Sequence, residues 1–160
     1  MNNVVAGAKE ILLPSWSSTM CSFALKVLDE IKRENWQLSI LLCGDKTITE
    51  LNDRYRNINE PTDILSFNLG SEIQEDGRTF YLPGDIVISL DTLKENASYF
   101  KINEDEELRR LIIHGILHLD GMDHRSLDVN EPMLALQEEI LGKLGNERII
   151  PQKTINGDKK

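Results

Sequence analysis

Apolar residues recur at helical spacing in several stretches of this chain and form short strand-like runs between them. Over 18–34, Met20, Phe23, Ala24, Val27, Leu28 and Ile31 follow the i, i+3, i+4, i+7 rule. That predicts an amphipathic helix, with serines at its start able to cap it. Residues 3–13 admit a first strand, and Gln37–Cys43 reads as an apolar strand ending at Gly44-Asp45. Thr47 and Glu50 have capping-box spacing and predict a second helix reaching Tyr55 or Arg56. Beyond Pro61, Asp63–Leu69 reads as a strand and Ser71–Gly77 as a polar, turn-rich segment. Thr79–Leu82 and Asp85–Leu90 read as two strands on either side of Pro83-Gly84. Asp91–Phe100 predicts a third, weaker helix. Asn103 with Glu106 caps a fourth, which is apolar on most sides (Leu111, Ile112, Ile113, Ile116, Leu117, Leu119) and so belongs at the centre of the fold. Asn130 opens a last helix with Met133, Leu136, Ile140 and Leu144 on one face.

The order is mixed rather than strictly alternating. It predicts an α+β fold: one small mixed sheet with helices packed on it around the central helix. With 160 residues, 40% of them hydrophobic, the chain suits one domain over 1–150, followed by a polar, flexible tail over 151–160. The longest apolar runs are too short to span a bilayer, and residues 1–9 lack the basic flank and apolar stretch of a secretory signal. Cys21 and Cys43 form no Cys-x-x-Cys unit and read as small buried hydrophobes in a reduced, cytoplasmic protein without a membrane partner. The net charge of −9 argues against a general, high-affinity binder of nucleic acid, so any phosphate contact has to come from a local basic group.

The chemistry is concentrated. All three histidines, His114, His118 and His124, fall within eleven residues. His114 and His118 are four apart, so on a helix they share a face about 6 Å apart along the axis. Gly121 can end the helix and turn His124 back toward them. Three neutral imidazoles with a fourth position open for water describe a catalytic site for one divalent ion. Zinc suits it, as do nickel, cobalt or copper. Such an ion keeps its charge and strongly acidifies bound water. Asp120 and Asp123 stand beside the ligands, placed to orient an imidazole or accept a proton. If either instead completed the coordination, the metal would be structural.

The zincin-like spacing His-x-x-x-His-x-x-Gly-x-x-His equals that of the metzincin peptidases, but Gly115 stands where their general-base glutamate does. That disfavours peptide hydrolysis. The run His114-Gly115-Ile116-Leu117-His118-Leu119-Asp120-Gly121-Met122-Asp123-His124 also resembles the signature of the YbeY family, bacterial rRNA maturation factors assigned as metal-dependent single-strand endoribonucleases. Leu51-Asn52-Asp53-Arg54-Tyr55-Arg56 followed by Pro61–Phe67 resembles that family's second motif, and Gly84–Ser89 its third. Met122 stands where the family often has Tyr.

The resemblance implies an α+β fold and a zinc ion on His114, His118 and His124. It also implies an arginine near the metal, at Arg56. The implied substrate is ribosomal RNA, above all the 3′ end of the small-subunit RNA, with the small subunit and assembly proteins as partners. Arg56 and His114 are then the catalytic residues. On local sequence alone Arg56 reads as a helix-end arginine, yet its guanidinium suits a phosphate well, donating two parallel hydrogen bonds and never losing its proton. Asp85 reads equally as a turn residue or as support for the site, while Asp63 and Ser66 read first as structural. Two rivals stand beside the nuclease reading. One is a hydrolase of another substrate class with the same metal architecture, and the other a ribosome assembly factor that cuts nothing and holds a structural metal.

Overall fold

The computed structural model describes residues 1–152. The expectation of a flexible tail therefore falls, from residue 153 onward, outside the described residues. The architecture is α+β, with elements β1 (Asn3–Ala8), α1 (Ser17–Glu30), β2 (Gln37–Cys43), α2 (Asp45–Arg56), β3 (Ile64–Glu75), β4 (Arg78–Ser89), α3 (Leu90–Phe100), α4 (Glu104–Leu119) and α5 (Pro132–Lys143). The four strands form one mixed sheet in the order β1-β2-β4-β3. The first three are parallel, and β3 runs antiparallel along β4.

Strand alternation sorts the core into two layers. Leu38, Ile40 and Leu42 of β2, with Ile86 and Ile88 of β4, face the large core shared with α1, α4 and α5. Leu41, Cys43, Leu65, Phe67 and Val87 face the other way, onto Ile48 and Leu51 of α2. Consequently Ile64, Ser66 and Asn68 of β3 look toward α4, and this alternation brings the edge strand into the functional cleft. Asp85 lies in mid-strand, in register with Ser39 and Phe67. It is neither a turn residue nor on the face that carries the histidines.

The strands departed from their expected limits for identifiable reasons. The segment 71–77 is mostly strand, and the turn shrinks to Asp76-Gly77, both with positive φ (51° and 76°), the two-residue hairpin turn that Asp-Gly favours. Pro83-Gly84 does not divide β4. On β3, Leu69 and Gly70 together face the single Pro83, since Asn68 pairs with Gly84 and Ser71 with Leu82. A bulge opposite the proline absorbs its missing N–H. Gly84, at φ 139°, is required there, because a Cβ would overlap the Phe67 carbonyl oxygen.

Helix starts differ as well. α1 begins at Trp16 without a serine cap. α2 begins at Gly44 rather than with a Thr47 capping box, and its free N–H groups are served from afar: Thr47 donates to Glu10 Oε1 (2.8 Å) and Asp45 to Asp91 Oδ2 (2.9 Å). α5 starts at Pro132, while Asn130 belongs to the preceding loop, where its N–H donates to Asp128. Asn103 does cap α4, accepting from the Glu106 N–H at 2.7 Å.

Candidate metal centre

α4 is buried on nearly every side. After Glu104, its only positions that are not buried are Glu106, Arg110, His114 and His118, one stripe at four-residue spacing. Gly115 faces the sheet, where an added Cβ would stand 2.9 Å from Ile86 Cδ1 and 3.0 Å from Ile64 Cδ1. The helix therefore lies close on β3 and β4 and holds both imidazoles at a fixed height above them.

The end of α4 is equally determined. Gly121, at φ 95°, donates to the His118 carbonyl, and Met122 donates to that of Leu117 (both 3.0 Å). These are the paired bonds of a Schellman motif, with Gly121 in the left-handed position it requires. The chain reverses there, and His124 returns to the other two. The ring nitrogens of His114, His118 and His124 converge within 4.8 Å of one another. No carboxylate or thiol among the described residues joins that group.

Hydrogen bonds determine which nitrogen His114 and His124 present. Gln137 of α5 donates its amide to Glu138 Oε2 (3.1 Å), so its carbonyl must face His114 Nδ1, 2.7 Å away. His114 Nδ1 then carries the proton, and Nε2 carries a lone pair. His124 Nδ1 donates to the Ser126 carbonyl at 2.9 Å, with the same consequence. The Nε2 of His118 lies 3.1 Å from His114 Nε2.

In one tautomer of His118 that pair shares a proton as a hydrogen bond, and a cation between the two nitrogens would take the proton's place. Two nitrogens bound to one tetrahedral zinc stand about 3.3 Å apart, given bonds of ~2.0–2.1 Å. The donor set thus fits a divalent ion. Burial pushes the His114 and His118 imidazoles below their usual range. The Gln137 bond partly offsets this for His114, and the neighbouring His114 ring adds to it for His118. Both are held in the neutral form that a metal needs.

Arg56, at the exposed C-terminal end of α2, lines the same cleft of about 590 Å³ as His114, His118, Ser66, Asn68, Asp63 and Asp123. Among the described residues it makes no ion pair or side-chain hydrogen bond, so its guanidinium is available to an anion. Asp123 accepts the His124 N–H at 2.8 Å and faces the cleft. Asp120 does not support the histidines: Arg33 grips both of its oxygens at 2.6 and 3.0 Å. Asp63, read from sequence as structural, stands near enough to raise the His114 pKa.

Gln137 has no sequence signal at all, although it is buried (6% exposed) and sets the tautomer of a ligand. Replacing it with Leu is expected to weaken zinc affinity by roughly 10- to 100-fold, the usual cost of losing such a partner, whereas Gln137→Glu keeps the acceptor and most of the affinity. A competition titration against a chromophoric chelator measures this. Equal affinity in the Leu variant would show that His114 orients itself without Gln137.

Three converging imidazoles, joined by no other ligating side chain among the described residues and set beside a cleft that carries an arginine, are the arrangement expected of a metal-dependent hydrolase. The comparisons narrow it. The model of the family described as Endoribonuclease YbeY matches residues 8–145. Proteins named Endoribonuclease YbeY from Treponema denticola and Borreliella afzelii are 48% and 44% identical to the chain. The first match spans 80% of this chain and 83% of the relative, the second 82% and 88%. A solution structure of TM1509 from Thermotoga maritima superimposes with a TM-score of 0.59 at 27% identity, covering 91% of this chain and 93% of that one. The chain belongs to the Endoribonuclease YbeY family, a family of hydrolases acting on RNA.

Proposed function

We propose that the chain is a zinc-dependent endoribonuclease that cuts single-stranded ribosomal RNA. The reading extends to 3′-end maturation of the small-subunit RNA and ribosome quality control, in the cytoplasm, with the small subunit and its assembly proteins as partners. It treats 1–150 as one catalytic domain and 151–160 as a polar tail. The observation that carries it is the convergence of His114, His118 and His124 in one cleft with Arg56, in a member of an endoribonuclease family.

In this reading the three histidines hold one ion, which when bound supplies a Lewis acid and an acidified water. Arg56 binds non-bridging oxygens of the scissile phosphate and balances the charge that grows on them. Gln137 and the Ser126 carbonyl keep the lone pairs of His114 and His124 aimed inward. Asp123 and Asp63 on the rim are the carboxylates nearest to hand for a proton. Ser66 and Asn68 offer neutral hydrogen bonds to the strand's sugar–phosphate backbone.

The test is elemental analysis of the purified protein combined with a cleavage assay. The expected result is about one zinc per chain, with cleavage of single-stranded RNA bearing the small-subunit 3′ region and none by His114→Ala. The net charge of −9 favours a second reading, in which the protein docks on the ribosome without cutting. Metal-replete protein that binds ribosomal subunits yet leaves the RNA intact would establish that alternative.

A further inference from the structure

The solvent-facing stripe of α4 does not stop at the histidines. It continues through Arg110 to Glu106. The Arg56 cleft lies over the C-terminal half of that stripe. Over the N-terminal half lies a second hollow of about 650 Å³, which shares Asp63, Ile64 and His114 with the first. Both fall within the size range of small-ligand pockets, ~300–1,000 Å³.

The two hollows differ in character. The first is polar and carries a free arginine. The second is rimmed by Phe100, Leu127 and Val129, which are 62%, 84% and 70% exposed, and Tyr99 extends the rim, its ring 5.0 Å from that of Phe100. Apolar side chains clustered at this exposure beside a polar centre mark a binding surface. Four carboxylates line the second hollow: Asp63, Glu106, Glu107 and Glu138. Its one cation, Arg110, is already held by Glu106, Glu107 and Glu138 at 3.2, 3.7 and 3.0 Å. A phosphate would be repelled there. A nucleobase would not, because its π-face suits an exposed aromatic ring and its ring and amino N–H groups suit carboxylate acceptors.

We propose that this second hollow takes one unpaired base of the RNA strand, next to the phosphate that Arg56 holds. Phe100 is its stacking surface, and Leu127 and Val129 pack against its edge. The inference rests on the nuclease reading of the same centre and deepens it. It supplies a reason for single-strand preference: a base can enter the hollow only after leaving its stack, which costs least where it is unpaired.

The test uses metal-replete protein and short single-stranded RNAs with one cut site, in which a single abasic nucleotide is moved through the flanking positions. Binding by fluorescence anisotropy and cleavage rate are both read. In the wild type, one flanking abasic position should weaken binding by about 5- to 150-fold, the range of base–aromatic stacking, while the others change it little. Phe100→Ala should weaken binding of the intact RNA similarly and add nothing for that abasic RNA. Val129→Ser, at an exposed position, should move in the same direction, and unchanged circular dichroism verifies that both variants fold. Uniform tolerance of abasic positions overturns the proposal. So does a Phe100→Ala loss that is equal for intact and abasic RNA, or one confined to binding of a protein partner. Failure of the nuclease reading looks different: the wild type would neither bind nor cut any of the RNAs, and the base site would fall with it.

Discussion

Arg56→Ala is expected to abolish RNA cleavage to within the detection limit of most assays while leaving zinc content and melting temperature unchanged. Losing one preorganised charge-stabilising donor costs roughly 100- to 1,000-fold in rate. Arg56 is exposed, ends α2 and has no side-chain partner among the described residues, so its removal disturbs little else. Its interaction with the helix C-terminus is worth a few tenths of a kcal/mol, up to ~1. Lys in its place restores charge but not the two-pronged grip, and partial recovery is the expected result. The checks are single-turnover cleavage, elemental analysis and thermal melting on the same preparation. If zinc is lost together with cleavage, Arg56 is a structural residue.

His118→Ala should act in the opposite way, lowering both metal occupancy and thermal stability. A ligand that binds only the folded state at 100 times its Kd stabilises by about 2.7 kcal/mol. For a chain of this size, each kcal/mol moves the melting temperature by about 2–4 °C, so the loss amounts to roughly 5–10 °C. Metal-stripped wild type and His118→Ala should then melt close together. In the variant His114 Nε2 also loses the neighbour that stands 3.1 Å away, His118 Nε2. Scanning calorimetry with and without chelator measures both arms. A wild type whose melting is indifferent to chelator would show that the ion contributes nothing to folding.

The centre was legible because its parts are contiguous in sequence. Three histidines, one glycine and the Asn103 cap lie within about one helix and a turn, where local geometry follows spacing. What supports the centre was not legible. Gln137 lies 23 residues beyond His114, and any polar side chain on a neighbouring helix could have met that nitrogen. Ser66 enters the cleft only because β3 pairs with β4 in one register, and a shift by one residue would turn it away, while Asp63 stands just before that strand. The start of α2 was misjudged for the same reason: its caps are Glu10 and Asp91, from opposite sides in sequence. Pro83-Gly84 looked like a break because the compensating bulge sits on the other strand. Local rules succeeded where the chain is its own neighbour and failed where a distant segment supplied the missing hydrogen bond.

The contact of Gly115 with Ile64 and Ile86 restricts what this scaffold can become. A peptidase-style glutamate grafted at 115 would crowd the Ile86 and Ile64 side chains and bury a carboxylate between helix and sheet, on the helix that carries two of the three rings. Acid–base chemistry here has to be recruited from the cleft margins or from the nucleic acid's own hydroxyls. Conversion to amide hydrolysis would have to begin by reshaping β3 and β4, not by editing the histidine segment.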